Sequence, residues 1–155
     1  MSKFNGLLDA KFHPPRTWVL DTKLVYEDDH LTDQQVADLK AVGVKVDARS
    51  GKITAPKGLK TDMASVPRFM WWLIAPFDVA RAAVIHDVLY SKIRNFRYHG
   101  GGDAMAERAK KASDLVFKHA MDDAEPSVPG WKKFLCYQAV NWFGASSIKP
   151  TEADK

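Results

Sequence analysis

Residues 81–93 read RAAVIHDVLYSKI, and in the middle of this apolar run His86 and Asp87 stand side by side. Tyr90 follows one helical turn after His86. An imidazole next to carboxylates is the material of general-base or metal-ion chemistry, because one carboxylate can fix the ring's tautomer while its other nitrogen takes a proton. At 3.6 residues per turn, Val79, Ala83, His86, Tyr90 and Ile93 share one stripe, and Asp87 is rotated about 100° onto a neighbouring surface with Ala80, Val84 and Ser91. Residues 79–90 offer few polar positions, so Asp87 is expected to be at least partly buried. A buried carboxylate needs a cation, backbone N–H donors or a metal ion to offset its lost hydration. The 56–67 segment, which contains Asp62, is a candidate source of such partners. Asp114 is the second carboxylate of interest. It lies in KKASDLVFKHAM, bordering the apolar face of Val116, Phe117, Ala120 and Met121. Helices joined by a short loop tend to lie antiparallel, and that arrangement brings Asp114 within reach of His86.

The elements that must position these groups are legible from patterning. Thr17–Leu20 and Leu24–Glu27 are β-rich runs separated by a polar break. A short helix follows over 32–42, capped by Thr32 or Asp33 and closed by Gly43, with Val36, Leu39 and Val42 at i+3 spacing. Residues 44–56 alternate as a hairpin turning near Ser50-Gly51. Pro56, Gly58 and Pro67 make the next segment irregular, with Ser65 as a helix cap and Trp71-Trp72 as core. Three helices are expected over about 78–94, 104–122 and 131–143, the first two joined through the loop HGGG at 99–102. The tail from Ser146 reads as loose. The fold class is therefore α+β: a small antiparallel sheet from the N-terminal half, packed on a C-terminal three-helix bundle. All of 1–155 forms one domain, with its core at about 17–143 and a flexible tail at about 146–155.

Composition limits the function classes. The chain has 155 residues, 46% of them hydrophobic, and a net charge of +4, which suits one well-cored domain. Lys and Arg are dispersed rather than concentrated in a stripe, so nucleic acid is not an expected partner, whereas a weak attraction to anionic phospholipid is compatible with the charge. Cys136 is the only cysteine, so no intrachain disulfide forms. The N-terminus lacks a signal-peptide pattern. No apolar run is long enough to span a bilayer. FMWWLIAPF, at 69–77, is the most apolar stretch. The five histidines lack the spacing of a zinc motif, although zinc at His86, His119 and an Asp is an alternative worth checking.

Two resemblances are carried by these residues. ITAPKGLKTDMASVP at 53–67, AAVIHDVLY at 82–90 and ASDLVF at 112–117 resemble an uncharacterised protein family encoded mainly by bacteriophages and prophages. The likeness covers about residues 17–143, leaves the 32–42 helix as extra material, and implies no particular activity. The pair H-D-x-x-Y plus a following Asp on an antiparallel helix is similar to phospholipases of the A2 class. That likeness implies that His86 activates a water, Asp114 orients His86, Tyr90 supports the dyad through Asp114, and Asp87 holds calcium. The Gly-rich calcium loop of those enzymes does not precede His86 here, and Asp62 is the substitute ligand.

The leading expectation is a small phage-encoded hydrolase with His86, Asp114 and Tyr90 as the catalytic group and calcium at Asp87 and Asp62, acting on phospholipid esters. One alternative is a non-catalytic virion or host-interaction protein, in which phospholipid is replaced by another phage protein as partner and the same side chains form a buried hydrogen-bond network. Another is a metal-dependent phosphohydrolase or peptidase. The expected location is the host cytoplasm or the virion.

Overall fold

A computed structural model describes residues 3–14, 17–61, 79–125 and 127–151. Asp62, Ser65, Pro67 and Trp71-Trp72 lie outside the described residues. Among the described residues, five short strands and one helix occupy the N-terminal half: β1 (Ala10–His13), β2 (Thr17–Leu20), β3 (Leu24–Glu27), α1 (Asp33–Ala41), β4 (Lys52–Ala55) and β5 (Lys60–Thr61). Three long helices follow: α2 (Ala80–Tyr98), α3 (Asp103–Asp122) and α4 (Gly130–Ser147). The class is α+β. The strands form two small antiparallel sheets rather than one, a three-stranded sheet ordered β1-β2-β5 and a two-stranded sheet of β3 and β4.

Local chemistry sets most boundaries. At the start of α1 the Thr32 hydroxyl accepts from the Gln35 N–H while the Gln35 side chain accepts from the Thr32 N–H, a reciprocal capping box. The helix ends where Gly43 takes φ of +90°. The expected hairpin between Val44–Val46 and Ile53 is reduced to one bridge, Val46 with Ile53. Directly after Val46, the Asp47 carboxylate accepts from the N–H groups of Arg49 and Ser50 and folds the chain into an Asx-type turn. The main partner of β4 is β3, in the register Leu24 with Ala55 through Glu27 with Lys52. Gly51 in that turn has φ of +63°, and a Cβ there would sit 1.8 Å from the Asp28 carbonyl oxygen, so only glycine permits the approach.

α2 is the central element. From Ala80 to Tyr90 every residue is buried, because β3 and β4 pack on one side and α3 on another. α3 in turn packs against both α1 and α4. Helix α1, expected as extra material, thus contributes Val36 and Leu39 to the shared core, and the Arg108 guanidinium donates to the nearly buried Asp38 carboxylate at 3.2 Å. α4 runs past its expected end. Ser146 and Ser147 are helical and Ile148 is buried, held by Arg94 donating to the Ser147 carbonyl and Arg97 to the Ile148 carbonyl. The ordered chain therefore reaches past the expected start of the tail at Ser146, at least as far as the buried Ile148. The glycine loop between α2 and α3 is a tight, ordered turn, in which the Gly101 N–H bonds the Phe96 carbonyl and Gly100 takes φ of +86°. Among the described residues, no helix is long and apolar enough to cross a membrane.

Candidate functional site

The apolar stripe of α2 carries His86 and Tyr90 to the face of α3 where Asp114 sits, as the spacing predicts. His86 Nε2 lies 2.9 Å from Asp114 Oδ1, and the Tyr90 hydroxyl donates to the same oxygen at 2.6 Å. The imidazole is sandwiched, with its centroid 4.0 Å from the Tyr90 ring and 4.9 Å from the Phe117 ring. Packing on both sides fixes the ring plane, and the carboxylate fixes which nitrogen carries the proton.

Lys110 completes the group, and sequence patterning does not single it out. Its ammonium donates to Asp114 Oδ2 at 2.8 Å and to the α4 carbonyls of Val140 and Asn141 at 3.3 and 3.4 Å. In the sequence it reads as half of a surface Lys110-Lys111 pair. Its position four residues before Asp114, on the same stripe as Ala106, Ser113 and Phe117, was the available signal. Gly144 is the second silent contributor. A Cβ there would lie 2.2 Å from the Tyr90 hydroxyl oxygen and 3.0 Å from Lys110 Cε, so the missing side chain lets α4 close over the network.

The electrostatics follow from this arrangement. Burial pushes the Asp114 carboxyl upward, but the hydrogen bonds from His86, Lys110 and Tyr90 outweigh it and hold the group below the usual carboxylate value. Asp114 is an anion, therefore, and Lys110 supplies its compensating charge. Burial first, then the Asp114 charge and hydrogen bond, push the Tyr90 phenol far above its ordinary value, so Tyr90 acts only as a protonated donor. One atom in this network is unsatisfied. His86 Nδ1 is fully buried and, among the described residues, has no hydrogen-bond partner. In the tautomer that directs Nε2–H at Asp114, the lone pair of the ring lies on Nδ1. Such a nitrogen can take a proton from a water or ligate a metal.

Asp87 is buried on the adjacent face of α2 and takes part in an interaction. Its proposed companion Asp62 lies outside the described residues. Calcium requires about six to eight oxygens. Among the described residues, no three His, Cys, Asp or Glu side chains converge to hold a metal ion, so they do not by themselves make a calcium site. His119, the alternative zinc ligand, points elsewhere: its Nδ1 is 2.9 Å from Asp28 Oδ2, a buried carboxylate at the start of the β3–α1 connection. This second His–Asp pair has His30 stacked on it with ring centroids 5.1 Å apart. Tyr26 donates nearby to Asp123 at 2.7 Å.

A family model for proteins of unknown function, DUF1353, matches residues 38–140, about two thirds of the 155-residue chain. The chain belongs to this family. The match spans His86, Asp87, Tyr90, Lys110 and Asp114, and it ends at the residue whose carbonyl receives the Lys110 ammonium. No curated protein and no solved structure matches the chain.

Proposed function

We propose that this protein is a small hydrolase in which His86 Nδ1 is the general base, oriented by Asp114, with phospholipid esters as the substrate class. The observation that carries the reading is the unsatisfied Nδ1 on a ring whose other nitrogen is held by an ionised carboxylate. In the proposed step Nδ1 takes a proton from water as the water oxygen attacks the ester carbonyl. The imidazolium so formed is stabilised through Nε2–H by Asp114, and returns the proton to the departing alcohol. Tyr90 and Lys110 donate to further acceptor sites of Asp114 and keep it ionised and fixed. Asp87 is the proposed calcium ligand, with Asp62. The similarity of H-D-x-x-Y to the A2 phospholipases and the net charge of +4 support a lipid substrate, and the likeness of 53–67 and 82–90 to a phage and prophage family supports a phage origin.

A second reading rests on the burial. His86 is 0% exposed and Asp114 2%, as expected of a network that fixes helix packing in a virion or host-interaction protein. The deciding experiment is hydrolysis of phosphatidylglycerol vesicles with and without calcium, by the wild type, His86→Asn and Asp114→Asn. Loss of roughly 100-fold or more in rate for both variants, with folding retained, supports the hydrolase. Absence of turnover by the wild type, with both variants melting well below it, leaves the packing network as the account.

A further inference from the structure

We propose that the outer face of α4 is a homodimer interface, on which two copies of this chain pack antiparallel about a two-fold axis through Gln138. The inner stripe of α4 is Lys132, Cys136, Ala139, Val140 and Gly144, all buried against the rest of the molecule. The opposite stripe is formed by Trp131, Phe134, Leu135, Gln138, Asn141, Trp142 and Ala145 at i+3/i+4 spacing. Its large apolar members are open to solvent: Trp131 is 57% exposed, Phe134 61%, Leu135 40% and Trp142 70%. At about 150–250 Å² per aromatic side chain, they present roughly 500 Å² of apolar surface. A patch of about 500 Å² is at the upper end of what a monomer exposes and is often functional, and its polar rim adds to it toward the roughly 800 Å² per partner of a stable interface.

Three features select a second copy as the occupant. First, the stripe carries no charged residue, so two copies meet without like-charge repulsion. Second, the pattern is self-complementary. In an antiparallel pair centred on Gln138, the large Trp131 faces the small Ala145 of the second copy and Phe134 faces Trp142. Leu135 faces Asn141, and Gln138 meets its own copy, where two amides can exchange hydrogen bonds. A two-fold interface requires this matching of a surface to itself. Third, a bilayer surface is the poorer fit. Lipid-bound helices flank their apolar face with free cations, whereas on α4 Lys132 is buried and Lys133 is paired with Asp122 at 2.7 Å. The interface would also lie back to back with the Lys110 contacts to the Val140 and Asn141 carbonyls, and so clamp the helix that closes over Asp114.

The test is sedimentation equilibrium of the full chain over a wide concentration range, for the wild type and Trp142→Asp, with circular dichroism confirming folding. The expected result is a wild-type dimer and a dissociation constant raised roughly 100-fold or more by the substitution, as for a central aromatic anchor. Register is read separately by cross-linking in a Cys136→Ala background, with copper–phenanthroline in air moving two electrons and two protons from a pair of thiols to oxygen. Gln138→Cys should form a covalent dimer. Ala145→Cys should not, because antiparallel copies hold those positions about 21 Å apart at 1.5 Å per residue. A wild type monomeric at high micromolar concentration, a Trp142→Asp variant that still dimerises, or cross-linking at 145 in place of 138 overturns the proposal. So does a monomer that pellets with phosphatidylcholine–phosphatidylglycerol vesicles through Trp142.

Discussion

Replacing Lys110 by Met tests whether the buried network is held together by charge. Met nearly matches the lysine stem in length and shape, so packing against Gly144 and Tyr90 is largely kept. What is lost is the ammonium. Asp114 Oδ2 then has no donor at 2.8 Å, the Val140 and Asn141 carbonyls lose their shared partner, and a carboxylate only 2% exposed is left with no compensating cation. Breaking a buried ion pair by removing one member costs about 3–5 kcal/mol. For a chain of this size each kcal/mol moves the melting temperature by about 2–4 °C, so the expected drop is roughly 6–20 °C. The assay is urea unfolding followed by tryptophan fluorescence and circular dichroism, carried through a double-mutant cycle with Asp114→Asn. In the double variant neither charge remains, and the side-chain amide introduced in place of the carboxylate can still accept from Tyr90. The double variant should therefore lose less than the sum of the single ones, with a coupling of roughly 1–3 kcal/mol. A Lys110→Met protein within about 0.5 kcal/mol of the wild type, or a cycle that closes with no coupling, would refute the reasoning.

Gly144→Ala drives a methyl to 2.2 Å from the Tyr90 hydroxyl, which cannot withdraw without leaving Asp114. The expected loss is about 1–3 kcal/mol, and Tyr90→Phe in the same chain should restore part of it, as read by urea midpoints. Acid should selectively weaken the network. The Asp114 carboxyl is held below its unfolded value, so its contribution is complete above about pH 4 and disappears as the pH falls through the lower folded value. The stability gap between wild type and Asp114→Asn should be constant from about pH 5 to 7 and narrow below about pH 4; a gap that widens on acidification contradicts this assignment.

Much of this organisation is written locally. β2 and β3 begin and end where their β-rich runs do, and α1 starts directly after Thr32, whose hydroxyl caps it. His86, Tyr90 and Asp114 meet because helical period and an antiparallel connection suffice to place them. Lys110 was not legible in the same way. A lysine carries a strong surface expectation, and only its position on the buried stripe four residues before Asp114 argues otherwise. The pairing of β4 with β3 was hidden by a different effect: a strand has two edges, local pattern points only to the neighbouring Val46, and Ile53 carries that bridge on one edge and Tyr26 of β3 on the other. Strands β1 and β5 are too short and too exposed to carry a clear alternating pattern. Gly144 matters only because of what α4 packs against, and no local pattern encodes that. The second His–Asp pair joins residues 91 positions apart, beyond the reach of any periodicity.

That separation also governs how the chain can be made. Tyr26 reaches its acceptor Asp123 across 97 residues, and Arg81 donates back to the Gly6 carbonyl across 75. Translation at roughly 5–20 residues per second leaves β3 waiting about 5–20 s after its own synthesis before the end of α3 exists to receive it. Throughout that interval Leu24, Val25 and Tyr26, buried in the finished molecule, have no finished core to enter. The time for which this apolar strand waits is thus set by the synthesis of the helical half, and the Tyr26–Asp123 bond can close only once the end of α3 has been made.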